Sequence, residues 1–247
     1  MNRIVAKLDT LASMAIRSRT LRLRNTRPMI SFTFDDFPHS AVANGARLLE
    51  SAGVLGTFYL ASQFCDATVD GIAYYTLGDV RRLLECGHEV GCHTATHARV
   101  PGLSRKAFND ELDRNQAFVA EHFGDIQLRS FAYPFGAVSP RAKMTAEKRF
   151  ASCRGIVPEI NGGSVDLGLV RAVKLYEHLY DREKLRGLLG KLRVNSWLVF
   201  FTHDVDSSPS VYGVSPSLLG YAIETALEMG HEILTMKSAL GRAAFAA

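Results

Sequence analysis

No run of about 18 consecutive apolar residues occurs in the chain. A bilayer requires a helix of roughly that length, so no transmembrane helix is expected. A basic residue stands near the N-terminus, but no apolar stretch long enough for a secretory signal follows it. Cysteine is scarce. The four present, Cys65, Cys86, Cys92 and Cys153, include no CxxC pair, which argues against a thiolate metal knuckle and against a disulfide-stapled fold. Reduced, mostly buried thiols fit a cytoplasmic protein, and that location is the expectation. Internal repeats, low-complexity tracts and linker-like stretches are missing as well, so one domain is the economical reading.

A strong excess of one charge is also lacking. The formal net charge is only +4, and residues 1–27 hold Arg3, Lys7, Arg17, Arg19, Arg22, Arg24 and Arg27 against Asp9 alone. The rest of the chain keeps 22 basic and 24 acidic residues. A body of that balance, with no recognition motif, speaks against nucleic-acid binding. Within the basic segment Ile4, Leu8, Leu11 and Ala15 recur at helical spacing. Such a segment either packs beside the domain or makes peripheral contact with an anionic membrane surface. The expected organisation is a basic arm or helix over residues 1–27 and the main domain over 28–247.

What is present is ordinary in bulk and informative in pattern. The 247 residues are 47% hydrophobic and 22% charged, enough for one sizeable core. From Arg27 onward, β-rich runs alternate with helical patterns. Strands are expected at Met29–Phe34, Thr57–Leu60, Glu89–Cys92, Ser130–Tyr133, Arg171–Tyr176, Leu198–Thr202 and Glu232–Thr235, with a weak one near Ser152–Ile156. Helices are expected near Ala41–Ala52, Leu77–Glu85, Ser104–His122, Pro140–Arg149, Asp181–Leu192 and Pro216–Met229. Alternation of this kind implies right-handed βα units and a mainly parallel sheet. Seven or eight units in this length favour a closed or nearly closed barrel, an α/β fold.

In such a barrel the reactive groups belong at the C-terminal ends of the strands. Four strand candidates run directly into polar or specially shaped residues: Asp35-Asp36, His93, Pro134-Phe135-Gly136 and His203-Asp204. His93 and His97 are four apart, so one turn points both imidazoles the same way. A catalytic zinc-type site takes imidazole and carboxylate ligands and keeps a position open for water. Asp35 or Asp36 can supply the carboxylate, leaving the other as a general base. His203 can protonate a leaving amine, because an imidazole titrates near neutrality; Asp204 beside it is a candidate for orienting the ring.

These residues resemble the motifs of a known family, the NodB-homology polysaccharide deacetylases (carbohydrate esterase family 4). Thr33-Phe34-Asp35-Asp36-Phe37-Pro38 is similar to its TFDDGP motif, and His93-Thr94-Ala95-Thr96-His97 to its H[ST]xxH motif. Ala132-Tyr133-Pro134-Phe135-Gly136 partly matches the RxPYG motif, and Leu198 through His203 resembles a later strand that runs to histidine. The likeness extends from about Met29 to Thr235. It implies a distorted (β/α) barrel with seven or eight mainly parallel strands. It further implies a divalent metal on Asp36, His93 and His97, with zinc expected and cobalt, manganese or nickel as alternatives. Asp35 would be the base, His203 the acid, and the Phe135 backbone N–H an oxyanion donor. The implied activity is removal of N-acetyl groups from amino sugars of an N-acetylated glycan, whether polysaccharide, oligosaccharide or lipid-linked.

Three departures stand out. Phe37 occupies a glycine position, and Ala132 occupies the place of an arginine that pairs with the base. The family's Asp/Trp pair has no clear counterpart, Trp197 being the only tryptophan. Arg171, near the start of a predicted strand, is the candidate replacement for the missing arginine. Two other functions compete: a metal amidohydrolase of a small cyclic amide on the same fold, and a carbohydrate-binding relative without catalysis. Tyr74, Tyr75 and Tyr212 could stack on sugar rings. The stretch from Ser207 to Pro216 reads as a loop at the barrel mouth.

Overall fold

The computed structural model describes residues 3–244, with side chains described from residue 7 to residue 243. The side chain of Ile4, part of the expected apolar stripe, lies outside those described.

Eight parallel strands build the main sheet: β1 (Met29–Asp35), β2 (Thr57–Leu60), β3 (Glu89–Cys92), β4 (Ser130–Ala132), β5 (Ser152–Arg154), β6 (Val173–Lys174), β7 (Ser196–Thr202) and β8 (Glu232–Ile233); a ninth, Asn161–Gly162, pairs antiparallel with the start of β7. Their spatial order is β6-β7-β1-β2-β3-β4-β5, parallel at every step, while β8 pairs with the lower half of β1. An isolated parallel bridge from Arg154 to Val170 draws the β5 edge toward the segment that leads into β6. The sheet is therefore a curled, distorted barrel of mainly parallel strands, as expected. Eight helices accompany it: α1 (Arg3–Ala15), α2 (Arg47–Ser51), α3 (Leu77–Glu85), α4 (Arg105–Phe123), α5 (Pro140–Ala146), α6 (Arg182–Leu189), α7 (Pro216–Glu228) and α8 (Met236–Ala244). None of the helices described is long and apolar enough to cross a membrane.

Local chemistry explains where the helices begin. Ser104, Ser139, Asp181 and Ser215 each accept a backbone N–H from the first turn of the helix that follows. Thr76 and Asp79 form a reciprocal capping box on α3. Pro140 and Pro216 then occupy first helical positions, where a missing N–H costs nothing.

All seven residues of β1 are buried, as a central strand covered on both faces must be. The two faces differ. Ile30, Phe32 and Phe34 join the large apolar core that includes Leu49, Leu83 and Leu219 from the helices. Met29 joins a second cluster inside the curl with Tyr59, Trp197, Val199 and Phe201. Strand alternation puts Ser31, Thr33 and Asp35 on this inner side. Ser31 accepts from the Trp197 indole at 2.9 Å, and Thr33 donates to the Phe200 carbonyl at 2.7 Å. Helix α8, absent from the expected elements, contributes Met236, Ala239 and Ala243 to the inner cluster. Its first N–H groups donate to Thr57 and Glu89, so α8 plugs the lower end and leaves the C-terminal strand ends as the open mouth.

Residues 41–46 coil as a π-helix ahead of α2, where a single α-helix is expected. Two short pairings outside the main sheet were not expected either. Thr68–Val69 pairs with Ile72–Ala73, and Thr20–Arg22 pairs antiparallel with Ser164–Asp166. The second ties the basic segment to the domain.

Candidate metal centre and active-site cleft

The end of β1 turns abruptly. Asp36 and Phe37 both have positive φ, 54° and 22°, a region costing a non-glycine residue about 1–3 kcal/mol. The Phe37 side chain offsets that strain. It is completely buried, stacked 4.3 Å from the Tyr75 ring and edge-on to Phe58 at 5.5 Å. Phenylalanine thus takes the backbone shape that glycine adopts freely, and anchors it by packing.

At the end of β3, Thr94 and His97 also have positive φ, 64° and 48°, folding His93–His97 into a tight turn. Glu111 of α4 accepts the Thr96 N–H at 2.8 Å, and the Thr94 hydroxyl accepts from the Ala98 N–H at 2.9 Å. The His93 Nδ1–H donates to the Ala132 carbonyl at 2.8 Å, which leaves Nε2 with its lone pair free. That Nε2 lies 3.8 Å from Asp36 Oδ1, and His97 Nε2 lies 3.4 Å from Asp36 Oδ2.

One ligand atom from each of Asp36, His93 and His97 falls within 4.8 Å of the other two. Burial drives both imidazoles toward neutrality, His93 down to about 3 and His97 to about 4, against the pull of the Asp35 charge. Burial and the neighbouring Asp35 push Asp36 well above the usual carboxylate range. Asp36 Oδ1 is buried and has no hydrogen-bond partner among the described residues. Two neutral imidazoles around a carboxylate oxygen without a donor suit a divalent cation.

Asp35 behaves oppositely. Burial alone would raise its pKa, but Arg154, His93 and His203 together outweigh burial and hold the carboxyl below its usual range. Arg154 ends β5, is fully buried, and forms an ion pair with Asp35 Oδ1. Its guanidinium lies between the Tyr59 and Phe201 rings, 5.2 and 5.0 Å from their centroids, an arrangement that stabilises the cation through the ring faces. Its second nitrogen donates to the Gly155 carbonyl at 3.2 Å.

The expected replacement, Arg171, is elsewhere. It pairs with Glu159 at 2.5 Å, half exposed, because it precedes β6 and so lies at the end of the strand away from the mouth. Arg154 stands beside Ala132 in the β4–β5 register; the guanidinium reaches the carboxylate from the neighbouring strand. The sequence carried one overlooked signal: an arginine inside the weak strand Ser152-Cys153-Arg154, where a buried charge demands a partner.

His203 follows β7 with its rings of neighbours Tyr176 and Tyr212 at 6.1 and 5.5 Å. Its Nδ1 is buried and has no partner among the described residues. Burial lowers its pKa, and the Asp35 charge opposes that shift. Asp204 does not orient it. Both Asp204 oxygens instead accept from Ser210, at 2.7 Å from the N–H and 2.5 Å from the hydroxyl, and so brace the loop after β7. Adjacent residues in extended chain point apart, which is why the two part company.

The loop after β4 brings Phe135 to the mouth at φ 59°, the residue 58% exposed and its ring 4.3 Å from the His97 ring. Gly136, at φ +60°, lies so close to Ile156 that a Cβ would collide with it, so glycine is required on two counts. A cleft of about 430 Å³ joins Asp35, Asp36, His93, His97 and His203, with Phe135, Tyr74 and Tyr212 in its walls. Tyr75 is core, its hydroxyl donating to the Ala61 carbonyl at 2.7 Å. Trp197 is core as well.

Known proteins share this arrangement of chain. The Xyl-CE4 domain of a multidomain xylanase from the hindgut metagenome of Trinervitermes trinervoides superposes with TM-score 0.63 at 18% identity, over 88% of this chain and 91% of that one. The chitin deacetylase of the fungal pathogen Colletotrichum lindemuthianum gives 0.62 at 18% identity, over 89% and 90%. At these identities the likeness concerns the fold. In sequence, a bifunctional xylanase/deacetylase of Pseudobutyrivibrio xylanivorans is 25% identical over 111 residues; the match takes in 45% of this chain but only 17% of that much longer protein. A family model described as polysaccharide deacetylase matches residues 22–149, a span that holds both aspartates, both histidines and the Phe135 loop. The resemblance of the motifs is thus borne out over more than half of the chain, which belongs to the polysaccharide deacetylase family, carbohydrate esterase family 4.

Proposed function

We propose that the protein is a metal-dependent hydrolase that removes N-acetyl groups from amino sugars of a glycan. The observation that carries this reading is the convergence of Asp36, His93 and His97 within 4.8 Å, in one cleft with the Arg154-paired Asp35 and with His203.

Asp36, His93 and His97 would hold the cation, and zinc suits two imidazoles and a carboxylate. A divalent cation in such a site supplies Lewis acidity and lowers the pKa of water to about 7. Asp35, kept ionised by Arg154, accepts the proton of the attacking water as it adds to the acetamide carbonyl. The Phe135 N–H, projecting from the mouth loop, donates to the oxygen on which charge develops. His203 delivers a proton to the departing sugar nitrogen, which otherwise leaves as a very poor amide anion. Its lowered pKa makes the protonated ring a stronger donor, while reducing the fraction protonated at neutral pH. Acetate and a free amino sugar result.

The test is acetate release from a panel of N-acetylated glycans, before and after chelation and with metal restored. Activity should vanish on chelation and return with zinc or cobalt. Elemental analysis should find less metal in His93→Ala and His97→Ala. Full metal content in both variants, or no acetate from any glycan in metal-replete protein, would overturn the reading.

A further inference from the structure

The reacting groups line only the inner part of the cleft; further out, Lys174 is the charged side chain among the described lining residues, and Arg99 stands beyond Phe135. Lys174 lies at the C-terminal end of β6, beside Phe201 in the register. Its ammonium is 5.7 Å from the Tyr176 ring, which in turn lies 6.1 Å from His203. The other flank repeats the arrangement. Arg99 is 5.9 Å from the Phe135 ring, and that ring is 4.3 Å from His97. Two exposed cations thus stand one aromatic ring beyond the reacting centre, on opposite sides of it.

Exposed cations are commonplace and usually solvated; their place beside the rings that flank the reacting centre distinguishes these two. Neither has a carboxylate partner among the described residues. The carboxylates lining the cleft are Asp35 and Asp36 alone, and both are engaged inward, by Arg154 and by the two imidazoles. Beyond Phe135, Gly136 and Ile156 a second hollow of about 400 Å³ shares that wall, lined by Lys7 and Arg99 and by no carboxylate. A cleft bordered by unpaired cations focuses a positive potential at its mouth. A neutral sugar, bound by stacking and hydroxyl hydrogen bonds, has no use for that field. A negatively charged one is drawn by it.

We infer that the substrate is an anionic glycan, with a carboxylate or phosphate within one sugar unit of the acetamide, held by Lys174 on one flank and Arg99 on the other. This rests on the hydrolytic reading above and narrows its substrate. Removal of the acetyl group leaves an ammonium, which the same field repels, so the product binds more weakly than the substrate.

The test compares an oligosaccharide of alternating glucuronic acid and N-acetylglucosamine with a chitin oligosaccharide of equal length, using the metal-replete full chain. Turnover and equilibrium binding are measured separately, and N-acetylglucosamine 1-phosphate against N-acetylglucosamine distinguishes phosphate from carboxylate. At low salt the acidic oligosaccharide should be preferred by about fivefold or more, a margin that shrinks as ionic strength rises. Lys174→Gln and Arg99→Gln should each lower that preference several-fold through KM or Kd, while Lys174→Arg retains it. Lys174-dependent binding of the acidic oligosaccharide without acetate release sustains the inference and sinks the hydrolytic reading. Acetate release with the neutral oligosaccharide preferred, or with the preference unmoved in both glutamine variants, sinks the inference alone. Failure to bind either oligosaccharide sinks it too.

Discussion

The pair Asp35–Arg154 concentrates the chemistry of the site at the scale of single residues. An ionised carboxylate in a buried cleft needs a counter-charge, and a buried guanidinium needs an acceptor; each meets the other's requirement. Arg154 in addition has an aromatic ring on either side, so its position is set by packing as well as by charge. Breaking one side of such a pair costs about 3–5 kcal/mol, because the remaining charge is stranded. Arg154→Met should therefore lower the denaturation midpoint and reduce turnover by ~10²-fold or more, with the metal content unchanged. Asp35→Asn combined with Arg154→Met should be more stable than Arg154→Met alone, since the stranded charge is gone. Equal stability of the single and double variants in denaturant titrations would remove the pair as a stabilising unit. Lysine in place of Arg154 keeps the charge but loses the planar fork and the ring stacking, so a partial loss of turnover is expected for it.

Among the elements, the basic N-terminal segment shows what positive charge can do inside a fold. Lys143 of α5 is fully buried; its ammonium donates to the Ser13 carbonyl at 3.0 Å and to the Ile16 carbonyl, and pairs with Asp166 at 2.5 Å. It thereby satisfies carbonyls at the C-terminal end of α1, where unpaired acceptors and the helix dipole favour a cation. Arg19 returns the favour, donating to the Phe150 carbonyl at 2.7 Å and to the Glu147 carbonyl beyond the end of α5. Arg17 donates to the Ser164 carbonyl at 2.9 Å. Charges that read as a surface patch are thus partly spent on joining two helices and a strand pair. Lys143→Met should cost about 3 kcal/mol through the stranded Asp166 and should free α1 from the domain. Hydrogen exchange is the measurement: amides of residues 10–16 should exchange faster in the variant than in the wild type, while those of β1 keep their protection. Equal protection of α1 in both proteins would show that other contacts hold it.

Across the whole molecule, the curl of the sheet separates two tasks. The lower end is closed by α8, whose apolar face fills the space inside the strands. The upper end collects residues from β1, β3, β4, β5, β6 and β7 into one cleft. A cation on Asp36, His93 and His97 would tie β1 to β3, strands separated in the sheet by β2. Binding to the native state alone raises stability by about 2.7 kcal/mol at a free concentration of 100 times Kd, a Tm increase of roughly 5–10 °C for a domain of this size. Thermal scans with chelator and with zinc should show that increase in the wild type and its absence in His97→Ala. A Tm that ignores the metal in both proteins would count against a site that spans two strands.

Much of this was legible in the chain before any coordinates. Period-two and period-3.6 patterns located all eight parallel strands of the main sheet, though not the short antiparallel Asn161–Gly162, and Ser139-Pro140 and Ser215-Pro216 marked helix starts, because these signals are local. Asp35, Asp36, His93 and His203 were legible for the same reason: each directly follows or ends a strand, and parallel strands put all such ends on one side; His97 was legible from its spacing to His93. What only tertiary structure decided is which distant residue completes each of them. Arg154 rather than Arg171 meets Asp35, a contact across 119 positions, because it depends on the register between β4 and β5. Asp204 turns to Ser210 instead of His203, Phe37 accepts a left-handed backbone for the sake of a buried ring, and α8 closes the base of the curl. Patterns along a chain report which face a residue prefers; the partner on that face is set by non-local pairing, where geometry outweighs sequence proximity.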